Sequence, residues 1–186
     1  MNRDRLRHPH LPANHPSHPY WSPIVAALVT VVPGVLGLAM GQIWLFPSLG
    51  PTAVMQAHLP EHRASRFYNV VVAHLAGLAS GVFAVWVCGL AVVPSVFQMR
   101  ILSWQRVAAA GLAIAIAVTI ELILDAQHPP AGSTTLLVAF GSLRPTLHDV
   151  SDVVVGVLIV AFVGEAVRRI RIPPFDQLPA SETAVD

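Results

Sequence analysis

The chain has 186 residues, 54% of them hydrophobic and 11% charged, with a formal net charge of +1. A soluble domain carries roughly 25% charged residues, so this chain is too poor in charge to coat a globule in water. The small net charge also excludes a long-range basic field, and no nucleic-acid partner is expected.

Residues 1–22 read as a disordered tail. Arg3, Arg5 and Arg7 open it, and "HPHLPANHPSHPYWSP" at 8–23 is too rich in proline for a helix. Its histidines raise metal binding, but an exposed, proline-stiffened tail lacks the enclosed geometry of a specific site. No metal or other cofactor is expected.

Apolar stretches follow at 24–46, 70–93, 107–124 and 153–170. Each is near the roughly 17–25 residues that a membrane-crossing helix needs. The first begins too late and is too long for a cleavable signal, so the mature N-terminus is expected to be retained. Cys88 is a lone cysteine inside the second stretch, which rules out an intrachain disulfide. Glu165 interrupts the fourth and should pair with Arg168 or Arg169 one turn on. The membrane domain is read as 23–171, with halves at about 23–94 and 105–171, and 172–186 as a second disordered tail.

Between the stretches lie two related motifs. "FPSLGPTAV" starts at Phe46 and "HPPAGSTTL" at His128. A shift of 82 positions lays Pro47 on Pro129, Gly50 on Gly132 and Thr52 on Thr134, and carries the first two apolar stretches onto the last two. An internal duplication follows. Each motif runs on into an apolar piece too short to cross as a helix, which suits a half-helix or re-entrant segment starting at its Pro-Gly-hydroxyl end. The expected fold is all-α and polytopic: four transmembrane helices plus two such segments. Re-entrant segments would make the repeats parallel. Segments that complete a crossing would change both the orientation and the charge count.

A helix start leaves four N–H groups without partners and carries the positive end of the macrodipole. Two such starts converging in a bundle would form a donor-rich pocket for a small inorganic anion. The candidate binding residues are Ser48, Gly50, Pro51 and Thr52 in the first motif. In the second they are His128, Pro129, Pro130, Ala131, Gly132, Ser133 and Thr134. Asn69 and His74 join them from the start of the second span, where a histidine at membrane depth should face the interior. The competing reading is that both motifs only let helices pack closely. GxxxG spacings at Gly37/Gly41 and Gly77/Gly81 show that small residues are used so, and they suggest a homo-oligomer.

Glu121, Asp125 and His128 share a helix face if the helix persists, although Pro129 biases His128 away from it. The two carboxylates are candidates for proton coupling, for cation binding, or for a place at the water interface; the interface suits Asp125 best. An intramembrane enzyme using Glu121 and His128 is an alternative, but no HExxH, GxSxG or P-loop accompanies them, and the chain is not read as an enzyme. A substrate-free structural or accessory subunit is the other alternative.

With four crossings, the arginines before the first span, at 100 and 106, and after the fourth share one face. Arg63, Arg66 and Arg144 share the other. The positive-inside rule then puts both termini in the cytoplasm.

The quoted motifs, with "RFYNVVVAH" at 66–74, resemble the HPP family of integral membrane proteins, named for the His-Pro-Pro stretch. The resemblance covers most of the chain apart from the tails. It implies four spans in a bilayer, here a bacterial inner membrane, and a link to transport of nitrite, with which plant chloroplast and cyanobacterial relatives are associated. Most bacterial members have no assigned substrate. Some carry regulatory CBS domains after the spans; none is read here, so that regulation is not expected. By position the resemblance singles out Ser48, Gly50, Pro51, Thr52, Asn69, His74 and the run from His128 to Gly132. Ala73 stands where the family usually has Gly. Glu121 and Asp125 receive no support from it.

Overall fold

The computed structural model describes residues 21–171; the histidines of the N-terminal tail and the whole C-terminal tail lie outside the described residues. The helices are α1 (Trp21–Met40), α2 (Leu49–His58), α3 (Phe67–Val87), α4 (Val96–Met99), α5 (Trp104–Ile123), α6 (Ala131–Ala139) and α7 (Leu147–Arg171). A 3-10 turn, Arg63–Ser65, leads into α3. Among the described residues, α1, α3, α5 and α7 are the helices long and apolar enough to cross a membrane. The two half-helices α2 and α6 stand where the motifs place them. Trp21 and Ser22, expected in the tail, begin α1.

Glycines set boundaries that hydropathy missed. The first apolar run continues to 46, but α1 stops at Met40 because Gly41 turns the chain at a φ of 66°. Gly89, at 68°, likewise ends the second run after α3. Left-handed backbone of this kind suits a residue without a Cβ. At the other extreme α7 starts before its apolar stretch, because the Thr146 hydroxyl accepts from the Asp149 N–H at 3.2 Å and donates to the Asp149 carboxylate at 2.8 Å.

The direction of each element follows from its contacts. After Gly41 the chain doubles back along α1, with the Gln42 N–H donating to the Gly37 carbonyl at 2.8 Å. The Ser22 hydroxyl donates to the Ala57 carbonyl at 3.1 Å, so α2 finishes where α1 begins. A ten-residue helix covers only about 15 Å; the extended approach at 41–48 supplies the rest. α5 and α6 repeat this: Gly132 lies beside Ile114, and Arg106 at the start of α5 donates to the Ala139 carbonyl at the end of α6 at 2.8 Å. Each half-helix therefore completes a return crossing together with its approach segment. α3 and α5 are antiparallel, joined by Tyr68 to the Leu124 carbonyl at 3.0 Å and by Arg106 to the Val93 carbonyl at 2.8 Å.

The packing partners match between halves. α1 packs on α2 and α7, and α5 on α6 and α3. α6 lies on α3 where Gly77 faces Ala131 and Thr135 and Gly81 faces Val138; α2 lies on α7 where Gly156 faces Trp44 and Leu49 and Gly164 faces Gln56. α1 and α5 begin at opposite ends of the bundle. We call the end holding the start of α1 and the finish of α7 the terminal end.

Two expectations change in consequence. The complete crossings move Arg63 and Arg66 to the terminal end, beside Arg168, Arg169 and Arg171, and move Arg100 and Arg106 to the far end beside Arg144. Both GxxxG spacings are consumed inside the chain: Gly77 and Gly81 by α6, Gly37 by residues 42–44, and Gly41 by its turn. They no longer argue for contact with a second copy.

Candidate functional site

The two half-helix starts meet around α3, the most enclosed of the long helices. Thr52 on α2, His74 on α3, Thr134 on α6 and His128 in the connection before α6 are all 0% exposed. His74 Nδ1 lies 2.7 Å from Thr134 Oγ1, and His74 Nε2 lies 2.8 Å from Thr52 Oγ1. Thr52 Oγ1 is 3.0 Å from His128 Nε2, and His128 Nδ1 is 2.7 Å from the Ala64 carbonyl. The rings sit 5.3 Å apart.

One atom fixes the direction of the whole chain. The Ala64 carbonyl only accepts, so His128 Nδ1 carries hydrogen. No carboxylate meets a ring nitrogen of either histidine, and a buried imidazolium without such a partner is too costly, so each ring is neutral. His128 Nε2 is then bare and accepts from the Thr52 hydroxyl. Thr52 in turn accepts from His74 Nε2–H, which leaves His74 Nδ1 to accept from the Thr134 hydroxyl. Donation runs from Thr134 to His74, Thr52, His128 and Ala64 in unbroken order. Protons cannot pass out of it, because the final carbonyl cannot take one.

The helix starts differ from expectation. The Ala131, Gly132 and Ser133 N–H groups donate to the His128, Pro129 and Pro130 carbonyls at 2.9, 3.2 and 3.0 Å, and the Leu49 and Gly50 N–H groups to the Phe46 and Pro47 carbonyls at 3.0 and 3.3 Å. The tight turns that begin each half-helix have consumed these donors. Neither start has a side-chain cap: Ser48 and Pro130 hold the cap positions without one. Pro51 and Pro129 face outward, Gly50, Pro130, Gly132 and Ser133 are half-buried, and Ser48 and Ala131 are buried.

The carboxylates separate. α5 ends at Ile123 and Asp125 adopts a left-handed φ of 50°, so the expected face of Glu121, Asp125 and His128 does not exist. Glu121 is buried and accepts from the His128 backbone N–H at 3.3 Å. Asp125 is exposed and paired with Arg63. Asn69 donates to the Gln127 carbonyl at 3.2 Å. Glu165 pairs with Arg168 at 2.6 Å and Arg169 at 2.9 Å, as its spacing suggests. No group of three or more His, Cys, Asp or Glu side chains among the described residues could hold a metal.

Sequence reasoning missed two of three buried polar groups, Gln56 and Ser80, while Ser48 is among its candidates. The Gln56 amide, Ser48 Oγ and Ser80 Oγ are buried without hydrogen-bond partners. Ser48, Thr52 and Gln56 recur every four residues, a polar stripe legible once α2 is known to be helical. The Arg106 guanidinium, 2% exposed, was read as a loop charge; it donates to the Ala139, Val93 and Pro94 carbonyls. A cavity of about 1010 Å³ opens at the far end and reaches inward to Pro47, Leu137 and Asp152.

A protein-family model described as "HPP, transmembrane region" matches residues 11–174. Comparison with curated proteins found no match. Comparison with solved structures found none either.

Proposed function

Since the chain belongs to the HPP transmembrane family, we propose that it carries a small monovalent inorganic anion, nitrite as best reading, across a bacterial inner membrane. The observation that carries the proposal is the buried relay joining Thr52, His74, Thr134 and His128 where two broken helices meet. Polar groups at this depth are expensive and mark substrate pathways. Four O–H and N–H donors converge there from different elements. In the closed arrangement three of them donate to one another and the fourth to the Ala64 carbonyl; an acceptor-only anion can replace the acceptors if the elements shift. The partly open faces of Gly50 and Gly132 and the unpartnered Ser48 hydroxyl adjoin the same helix starts. A proton taken up by an imidazole alongside the anion would leave no net charge in the low-dielectric interior. Glu121, bonded to the His128 backbone, is the carboxylate placed to assist; Asp125 is at the surface.

The two halves are an inverted duplication in this reading, because the matched helices α1 and α5 run in opposite senses. Paired discontinuous helices in inverted halves are a recurrent transporter plan. The arginines collected at the terminal end favour cytoplasmic termini.

Nitrite uptake into liposomes containing the purified protein tests the proposal. Thr52→Val should lose most of the flux. Folded protein that passes no nitrite, nitrate or formate would overturn it. The relay's lack of a spare donor favours a second reading, a substrate-free membrane subunit, and the same null result would support that one.

A further inference from the structure

The two ends of the bundle differ in a way that the duplication makes interpretable. At the terminal end, the connection preceding α3 and the first turn of α3 are bonded to the segment preceding α6. His128 Nδ1 donates to the Ala64 carbonyl, Asn69 to the Gln127 carbonyl and Tyr68 to the Leu124 carbonyl, and Arg63 pairs with Asp125. These contacts seal that end over the relay.

The 82-residue shift carries residues 124–128 onto 42–46, and 62–69 onto 144–151. At the far end Ile43, Leu45 and Phe46 of one matched segment and Arg144, His148 and Asp149 of the other line the cavity of about 1010 Å³, and among the described residues no hydrogen bond or ion pair joins the two segments. Arg144 meets Asp149 of its own segment instead, its backbone N–H donating to that carboxylate at 3.0 Å. Equivalent pieces of the two halves are therefore closed at one end and open at the other. Ser48, next in sequence to the lining residue Pro47, keeps an unpartnered buried hydroxyl.

We infer that two unlike gates close over the central site from opposite ends: a polar clasp at the terminal end, built on Arg63–Asp125, and a mouth at the far end, between Ile43, Leu45 and Phe46 and the polar side chains of Arg144, His148 and Asp149. The structure is the state with the clasp shut and the mouth open, with the relay residues themselves still covered. Both side chains of the ion pair are exposed, and such pairs are weak enough to break and remake in each cycle. Closing the mouth would bury apolar side chains that now face the opening. The inference rests on the transport reading for its purpose, but the motion can be measured without any anion.

The test uses the full chain with Cys88→Ala and a reporter, Leu45→Cys, in vesicles of both orientations treated with an impermeant maleimide. Replacing both partners, Arg63→Ala with Asp125→Ala, weakens the clasp and shifts the population toward the shut mouth. Labelling of the reporter should fall severalfold, and the swapped pair Arg63→Asp with Asp125→Arg should restore it, which general loosening of the fold would not. Unchanged or faster labelling in the alanine pair overturns the two-gate inference, as does a swapped pair that behaves like the alanine pair. Labelling that responds as expected in protein without anion flux would sink the nitrite reading and leave the gates standing.

Discussion

Thr52 and Thr134 occupy matched positions, yet the directed relay makes them unequal, and that inequality is measurable. Thr52→Val keeps the shape of the side chain and removes an oxygen that both donates and accepts. His74 Nε2–H and His128 Nε2 are then both left unpaired in a fully buried setting. Thr134→Val removes only the first donor and strands one acceptor, His74 Nδ1. Each stranded buried group costs about 1–3 kcal/mol. The first change should thus cost about 2–6 kcal/mol and the second about 1–3 kcal/mol. Hydrogen bonds within membrane proteins average nearer 0.6 kcal/mol, because the unfolded chain in lipid also finds partners. That correction scales both values and preserves the factor of about two. Equilibrium unfolding in mixed detergent micelles, followed by circular dichroism, gives the comparison, with Thr52→Ser as the variant that retains stability. A Thr134→Val cost equal to or above that of Thr52→Val would refute the assigned direction.

Nitrogen NMR of labelled protein should find hydrogen on Nε2 of His74 and on Nδ1 of His128; hydrogen on Nε2 of His128 would contradict the anchoring role of the Ala64 carbonyl, and hydrogen on Nδ1 of His74 would contradict the assigned direction. Arg106→Lys keeps the charge but loses the fork that spans three carbonyls, so it should lower stability by about 2 kcal/mol, near one charge-assisted hydrogen bond; an unchanged melting temperature would count against it. At Gly164 an added methyl would run into the amide end of the flexible Gln56 side chain, which can swing aside, so Gly164→Ala should cost about 1 kcal/mol. Gln56→Ala in the same chain should recover most of that loss, and failure to do so would place the cost elsewhere.

Much of this architecture is written locally. Hydropathy gave the long helices, because a span must be apolar over its length whatever surrounds it. The Pro-Gly-hydroxyl motifs gave the two half-helices, and the i+3 and i+4 spacing from Glu165 gave its arginine pairs. The exact ends of the spans were less legible: Gly41 and Gly89 sit in runs that remain apolar past the turn, so hydropathy continues where the helix does not. His74 could be picked out as a buried polar residue, since a histidine in lipid needs a partner, and His128 through its place in the second motif.

The partners themselves could not be read that way. They come from residues 22 to 76 positions away, and one of them is a backbone carbonyl, which has no sequence signature. Nor does a count of helix starts reveal that their N–H groups are already paired; that depends on the turn each chain makes on entering the helix. The sequence by itself determined a membrane-spanning all-helical chain with two broken segments, because transfer into oil is a property of composition and local spacing. Only the tertiary structure decided that those segments run through to the other end, that α1 and α5 run in opposite directions, and that the histidines face each other across a threonine. Those outcomes are set by which helix packs on which, and packing is a relation between distant residues.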